Sequence, residues 1–246
     1  MVYFVSGGSR GIGAAIVLKA IADGHDVAFT YLGREDRARE VEEKAQALRP
    51  GCKCRGFRMD VRDSAEVDRV GDEILDAFED VHVVVNNAAI NRDNIAVSMT
   101  DEEWHDVLAT NLHGPFYVCR FFLSNMLMNR FGRIINISSV SATGATGQIN
   151  YATSKAGLSG LTKSLAKEYG RKGITANMVI PGFFDTEMTQ ETMSEDSRFF
   201  WHKYCPVRRT GEVNELSQVV AFLASEGASF VNGAEINVTG GLDYAP

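Results

Sequence analysis

The stretch VYFVSGGSRGIGAAIVLKAIA, Val2 to Ala22, joins an apolar run to a helical pattern through a glycine-rich turn. Val2–Ser6 is apolar on both faces, as a strand covered by helices on each side must be. Gly7, Gly11 and Gly13 then stand in the order G-x-x-x-G-x-G and open a helix expected over 11–24. Such glycines let the backbone turn tightly and approach a phosphate, and the helix start supplies N–H donors with a partial positive charge. The spacing is not the commoner G-x-G-x-x-G, and the turn alone would fit a plain loop equally well. Its place directly after the first strand favours the cofactor loop.

Working outward, the same alternation runs the length of the chain. Strands are expected over 26–31, 53–61, 81–87, 132–138, 175–181 and 234–240, with helices near 34–48, 64–79, 101–128, 150–172 and 212–225. Thr100 followed by Glu103 fits a capping box at one helix start. This pattern predicts an α/β protein: one Rossmann-type domain over 1–246, with a doubly wound parallel sheet of about seven strands flanked by helices. Ligands of such a fold bind beyond the carboxyl ends of the strands, so the residues just after each strand carry the chemistry.

Composition narrows the classes. The chain has 246 residues, 45% of them hydrophobic, and a net charge of −7, which argues against a nucleic-acid surface. Cys52, Cys54, Cys119 and Cys205 lack metal or redox spacing and predict reduced thiols in a cytoplasmic protein. The five histidines are scattered, so no metal site is expected. The first apolar run, MVYFV, is too short for a leader or a membrane span, and no later run reaches spanning length.

Each strand end carries polar or turn residues. After Thr30-Tyr31 no acid appears until Glu35, whereas Arg10 sits in the glycine loop and Arg34 follows the strand. A missing acid with a nearby guanidinium suits a ribose 2′-phosphate, and hence NADPH or NADP+. Arg34 and Arg37 fit a solvated helix face equally well. Asp60-Val61, Asn86 to Ala89, Ser138-Ser139 and Pro181-Gly182 close the other strands. Tyr151 and Lys155 stand four apart, on one helix face among the small residues Ala152, Ala156 and Gly157. A lysine ammonium there should favour the phenolate and lower the tyrosine pKa toward a useful range.

Through SGGSRGIG, NNAA, Asn111 in TNLHG, ISS, YATSK and PG, the chain resembles the short-chain dehydrogenase/reductase family over essentially its whole length. AAINRDNIAVSMTDEEWHDVLATNL and GITANMVIPGFFDTEM look especially like the 3-oxoacyl-[acyl-carrier-protein] reductases. The resemblance implies a catalytic tetrad of Asn111, Ser139, Tyr151 and Lys155, with Asn111 holding a water of a proton relay. It implies NADP(H) bound along Gly7, Ser9, Arg10, Gly11, Ile12, Gly13, Tyr31, Asp60, Val61, Asn87, Ala88, Tyr151, Lys155, Pro181, Gly182 and Thr186. It also implies a homotetramer packed through the long helices, and an acidic acyl carrier protein meeting Arg130 and Lys172. The implied reaction is NADPH-dependent reduction of a 3-oxoacyl thioester, on acyl carrier protein or coenzyme A, with tyrosine as general acid.

Some residues depart from the pattern. Ser6 replaces a usual Thr, Ala89 replaces the Gly of NNAG, and the loop before Tyr151 is one residue short. Counting the usual distance back from Tyr151 gives Ser138; keeping the strand register gives Ser139, which we favour because a slip would turn the side chain to the other face. Phe183, Phe184, Met188, Met193, Phe199, Phe200, Trp201 and Tyr204 crowd the segment after strand six. They suit either core or a substrate lid around 183–208. An alcohol, polyol or steroid dehydrogenase on the same scaffold, or a non-catalytic NADP-binding sensor, are the competing readings; an enoyl reductase of the related group would space Tyr and Lys wider.

Overall fold

The computed structural model describes residues 1–186, 189 and 195–242. Its strands are β1 (Val2–Val5), β2 (Asp26–Tyr31), β3 (Cys54–Arg58), β4 (Val83–Asn86), β5 (Gly132–Ile137), β6 (Ile174–Pro181) and β7 (Glu235–Val238). All seven pair in parallel, in the order β3-β2-β1-β4-β5-β6-β7. Parallel neighbours need crossovers, and the intervening segments supply them as helices: α1 (Gly11–Ala22), α2 (Glu35–Leu48), α3 (Ser64–Phe78), α4 (Asp101–Leu108), α5 (Gly114–Asn129), α6 (Ile149–Tyr169), α7 (Glu195–Tyr204) and α8 (Val213–Ala224).

Because side chains alternate along a strand, consecutive residues serve opposite cores. Val5, Phe29, Val85 and Ile135 face α1, α2 and α8. Phe4, Ala28, Val84 and Ile134 face α3, α5 and α6. This two-sided burial is why the central strands read as unbroken apolar runs. The chain leaves β1 toward β2 and β3 on one side and toward β4 on the other. That reversal opens a crevice above the carboxyl ends of β1 and β4, where ligands of doubly wound sheets bind.

Several boundaries differ from the sequence expectation, and helix α7 was not among the expected elements. Strand β3 ends at Arg58 rather than 61, so Met59, Asp60 and Val61 form a turn over the crevice. The helix expected over 101–128 is interrupted by a π-helical turn at Ala109–His113, which contains Asn111. Such turns insert an extra residue and re-aim side chains, often at functional sites. Helix α6 ends at Tyr169 and the chain tightens into a 3₁₀ turn, Gly170–Lys172. The capping box at Thr100 is present in full: Glu103 N–H donates to Thr100 Oγ1 at 3.2 Å, and Thr100 N–H donates to Glu103 Oε2 at 2.8 Å. Among the described residues no helix is long and apolar enough to cross a membrane.

Candidate active site

A cleft of about 540 Å³ lies above the strand ends, and every residue expected to touch the cofactor, from Gly7 to Thr186, lines it. Its floor is the turn after β1. Gly7 and Gly11 take positive φ, +66° and +53°. Ser6 Oγ accepts the N–H groups of Asn87 (3.0 Å) and Ala88 (3.1 Å). Asn87 Nδ2 returns bonds to the carbonyls of Ser6 (3.1 Å) and Gly7 (3.0 Å). The β1 and β4 ends are thereby locked together. The Ser6 hydroxyl serves as the threonine of the common motif would, since only an oxygen is needed.

The start of α1 is open toward the cleft. Its N-cap, Arg10, makes no side-chain capping bond, and no acid occupies the first turn. Gly11, Ile12 and Gly13 line the cleft there. Exposed helix N–H groups, a partial positive charge and no competing carboxylate fit a dinucleotide pyrophosphate. At the outer end, Arg10, Tyr31 and Arg34 line the wall. Arg34 pairs with Asp36 through contacts of 3.0 and 2.8 Å. Asp60 is gripped by Arg62 at 2.7 Å, and Arg62 also reaches Asp106 of α4 at 3.1 Å. The Arg62 guanidinium holds the Asp60 carboxyl below its usual range, so a charged carboxylate stands at the cleft wall.

At the inner end, Tyr151 lies in the first turn of α6 and Lys155 follows one turn later. Lys155 is 3% exposed; its Nζ donates to Ile137 O at 2.8 Å and sits 5.7 Å from the Tyr151 ring centroid. Burial lowers its pKa to about 8, so it is still mainly ammonium at neutral pH. The tyrosine departs from expectation. Burial pushes the phenol above its ordinary value, the hydrogen bond with Ser139 pulls it part of the way back, and the Asp93 carboxylate pushes it up again. Burial prevails among these influences, and the phenol keeps its proton.

The two serines separate cleanly. Ser138 continues the β5 ladder through its N–H to Val179 O (2.8 Å), and its Oγ donates to Lys155 O at 3.1 Å. Ser139 leaves the strand, caps the 3₁₀ turn Val140–Thr143 by accepting Ser141 N–H at 3.1 Å, and hydrogen-bonds Tyr151. Farther on, the loop turns through Gly144 and Gly147, both at positive φ. Ser139→Ala is expected to lower kcat by at least about tenfold, and Ser138→Ala by much less, in steady-state reduction assays. The reverse order would show that the register has slipped.

Asn111 does not line the cleft. Its Oδ1 accepts Ile90 N–H at 2.9 Å, and its Nδ2 donates to Ile90 O (2.9 Å) and Ser154 Oγ (3.1 Å). Both ends of the amide are thus engaged by protein. Arg130 and Lys172 lie at the amino ends of β5 and β6, opposite the cleft. Phe183 and Phe184 line the cleft, while Trp201 is buried against Phe183 at 4.9 Å. Phe199 and Tyr204 are exposed, Phe200 packs beside Trp201, and Met188 and Met193 fall outside the described residues. The sequence reading overlooked Asn91, Arg92 and Gln148, which also line the cleft, and Asn150, which adjoins Tyr151. Only the NY pairing beside the catalytic candidate marked Asn150 out.

Residues 7–243 match the protein-family model described as "Enoyl-(Acyl carrier protein) reductase". The chain is 40% identical over 239 residues to the 3-oxoacyl-[acyl-carrier-protein] reductase FabG of Staphylococcus epidermidis, covering 97% of each chain. It is 39% identical over 241 residues to FabG of Haemophilus influenzae, covering 97% of this chain and 96% of that one. The crystal structure of levodione reductase superposes with a TM-score of 0.93 at 30% identity, over 98% of this chain and 96% of that one.

Proposed function

Since this chain belongs to the short-chain dehydrogenase/reductase family, and is a nicotinamide-dependent oxidoreductase, we propose that it reduces a 3-oxoacyl thioester to the 3-hydroxyacyl form at the expense of NADPH. The observation that carries this reading is the meeting of Ser139, Tyr151 and Lys155 in one cleft with the uncapped start of α1. A nicotinamide dinucleotide bound there would supply the hydride. Tyr151 donates its hydroxyl proton to the substrate carbonyl oxygen. Ser139 donates a hydrogen bond to the same oxygen as negative charge develops on it. Lys155, fixed by Ile137 O, stabilises the phenolate left behind and keeps it poised for reprotonation. The 2′-phosphate would lie by Arg10.

The thioester assignment comes from the FabG relatives. The matching family model is named for enoyl reductases, but one helical turn between Tyr151 and Lys155 favours carbonyl reduction. The levodione reductase likeness supports a second reading, reduction of a free ketone. A carrier protein docked at Arg130 and Lys172 would have to deliver its substrate past the whole of β5, about 20 Å for its six residues. Half-exposed Phe116, with Tyr117 and Leu161, offers a face for a second copy of the chain.

The deciding experiment is a panel of 3-oxoacyl thioesters, free ketones and sugars with NADPH. Thioester turnover leading by kcat/KM supports the proposal; a free ketone or sugar leading overturns it. Cofactor choice is read in the same assay. A charge-assisted phosphate contact of about 1.5–3 kcal/mol corresponds to about ten- to a hundredfold preference for NADPH over NADH. Arg10→Ala should erase most of that preference, and equal use of both cofactors by the parent would count against it.

A further inference from the structure

The wall of the cleft beside Tyr151 is the loop that follows β4, and side-chain amides hold it in place. Ile90 is gripped by Asn111 through both its N–H and its C=O, each at 2.9 Å. Two residues on, Arg92 O accepts from Asn150 Nδ2 at 2.9 Å. Asn94 N–H then donates to Gly147 O at 2.8 Å, and Gln148 Nε2 donates to Asp93 Oδ2 at 3.0 Å. Ile90, Asn91, Arg92 and Gln148 all line the cleft together with Tyr151.

Asn150 is the centre of this arrangement. It is fully buried, at 0% exposure. Its second donated bond goes to Glu103 O of α4 at 3.1 Å, and its Oδ1 accepts the N–H of Tyr151 at 2.7 Å. One side chain therefore joins the wall loop, α4 and the backbone of the proton donor, with its donors and acceptor all used. A primary amide suits this junction because it donates twice and accepts once within a small volume. Aspartate has the same shape and accepts equally well, but it would turn a carboxylate oxygen onto two carbonyls and leave them buried without donors.

We propose that Asn150 is the positioning residue of the reduction: it clasps the first turn of α6 to the 90–94 wall, so that the Tyr151 hydroxyl and a carbonyl resting on that wall meet in reacting geometry. This inference rests on Tyr151 being the proton donor. Asn150 touches neither the glycine loop nor the adenine end, so it should govern the chemical step rather than cofactor affinity.

The test compares Asn150→Asp with the parent, using whichever carbonyl substrate the parent reduces best. A mispositioned acid predicts kcat lower by about a hundredfold. NADPH Kd, read by fluorescence titration, should stay within about twofold, because uniform binding is untouched. Amide hydrogen exchange across 88–99 should quicken by at least about tenfold as the wall is released. If Asn150 served only as a helix-start acceptor, aspartate would be tolerated or favoured there. An Asn150→Asp enzyme within about threefold of parental kcat therefore overturns the proposal. Should that variant fail to fold, Gln148→Ala removes an outer tie of the same clasp; it should lower kcat by about three- to tenfold and quicken exchange in the same peptides. Parental kcat and exchange in Gln148→Ala would then overturn it. A Tyr151→Phe enzyme with parental kcat would also overturn it, and faster exchange in Asn150→Asp beside that result would place the error in the reading of Tyr151 rather than in the clasp.

Discussion

Replacing Tyr151 with phenylalanine should lower kcat by about a thousandfold. The change removes one oxygen and leaves the ring that packs in the first turn of α6. Without the hydroxyl, no other acid among the described residues of the inner cleft is suited to deliver the proton. Lys155 Nζ is bonded to Ile137 O at 2.8 Å, and the Ser139 hydroxyl is a far weaker acid than a phenol. NADPH affinity should change little, because the glycine loop and the Asp60 turn are distant in the cleft. Single-turnover reduction with saturating NADPH isolates the chemical step. Turnover within about threefold of the parent would remove Tyr151 from the mechanism.

Gly13→Ala should be almost as damaging, by a different route. A methyl at Gly13 would stand 2.1 Å from Gly7 O and 2.6 Å from Asn87 Nδ2. Both neighbours are fixed, since Asn87 Nδ2 is bonded to that same carbonyl at 3.0 Å. The turn must open, which misplaces the N–H groups at the start of α1 and breaks the lock between β1 and β4. Overpacking of this kind costs about 1–3 kcal/mol of stability. We expect NADPH Kd to rise by at least about a hundredfold, because the phosphate cradle is the element displaced. Gly160→Ala is the control. A methyl there meets nothing within 4 Å, and the helix gains about 0.5–1 kcal/mol in propensity. Equal NADPH titrations for the two variants would mean that the turn after β1 does not hold the cofactor.

The sequence by itself determined the order of all elements but α7, the parallel sheet and the place of the glycine turn. Those features follow from local periodicity: strands buried on both faces read as apolar runs, and helices show their 3.6-residue spacing. It also brought Tyr151 and Lys155 together, because four residues make one helical turn. Tertiary structure decided which polar groups find one another. Whether Ser138 or Ser139 faces Tyr151 depended on where β5 leaves its ladder with Val179. The π-turn at Asn111 arose inside a segment whose pattern is helical throughout. The two carbonyls that Asn150 Nδ2 reaches lie 47 and 58 residues away, and Arg62 reaches across 44 residues to Asp106. An asparagine carries the same donors and acceptor wherever it occurs. Its partners are set by the packing of distant elements, and a hydrogen bond that must close within about 3 Å follows from that packing alone.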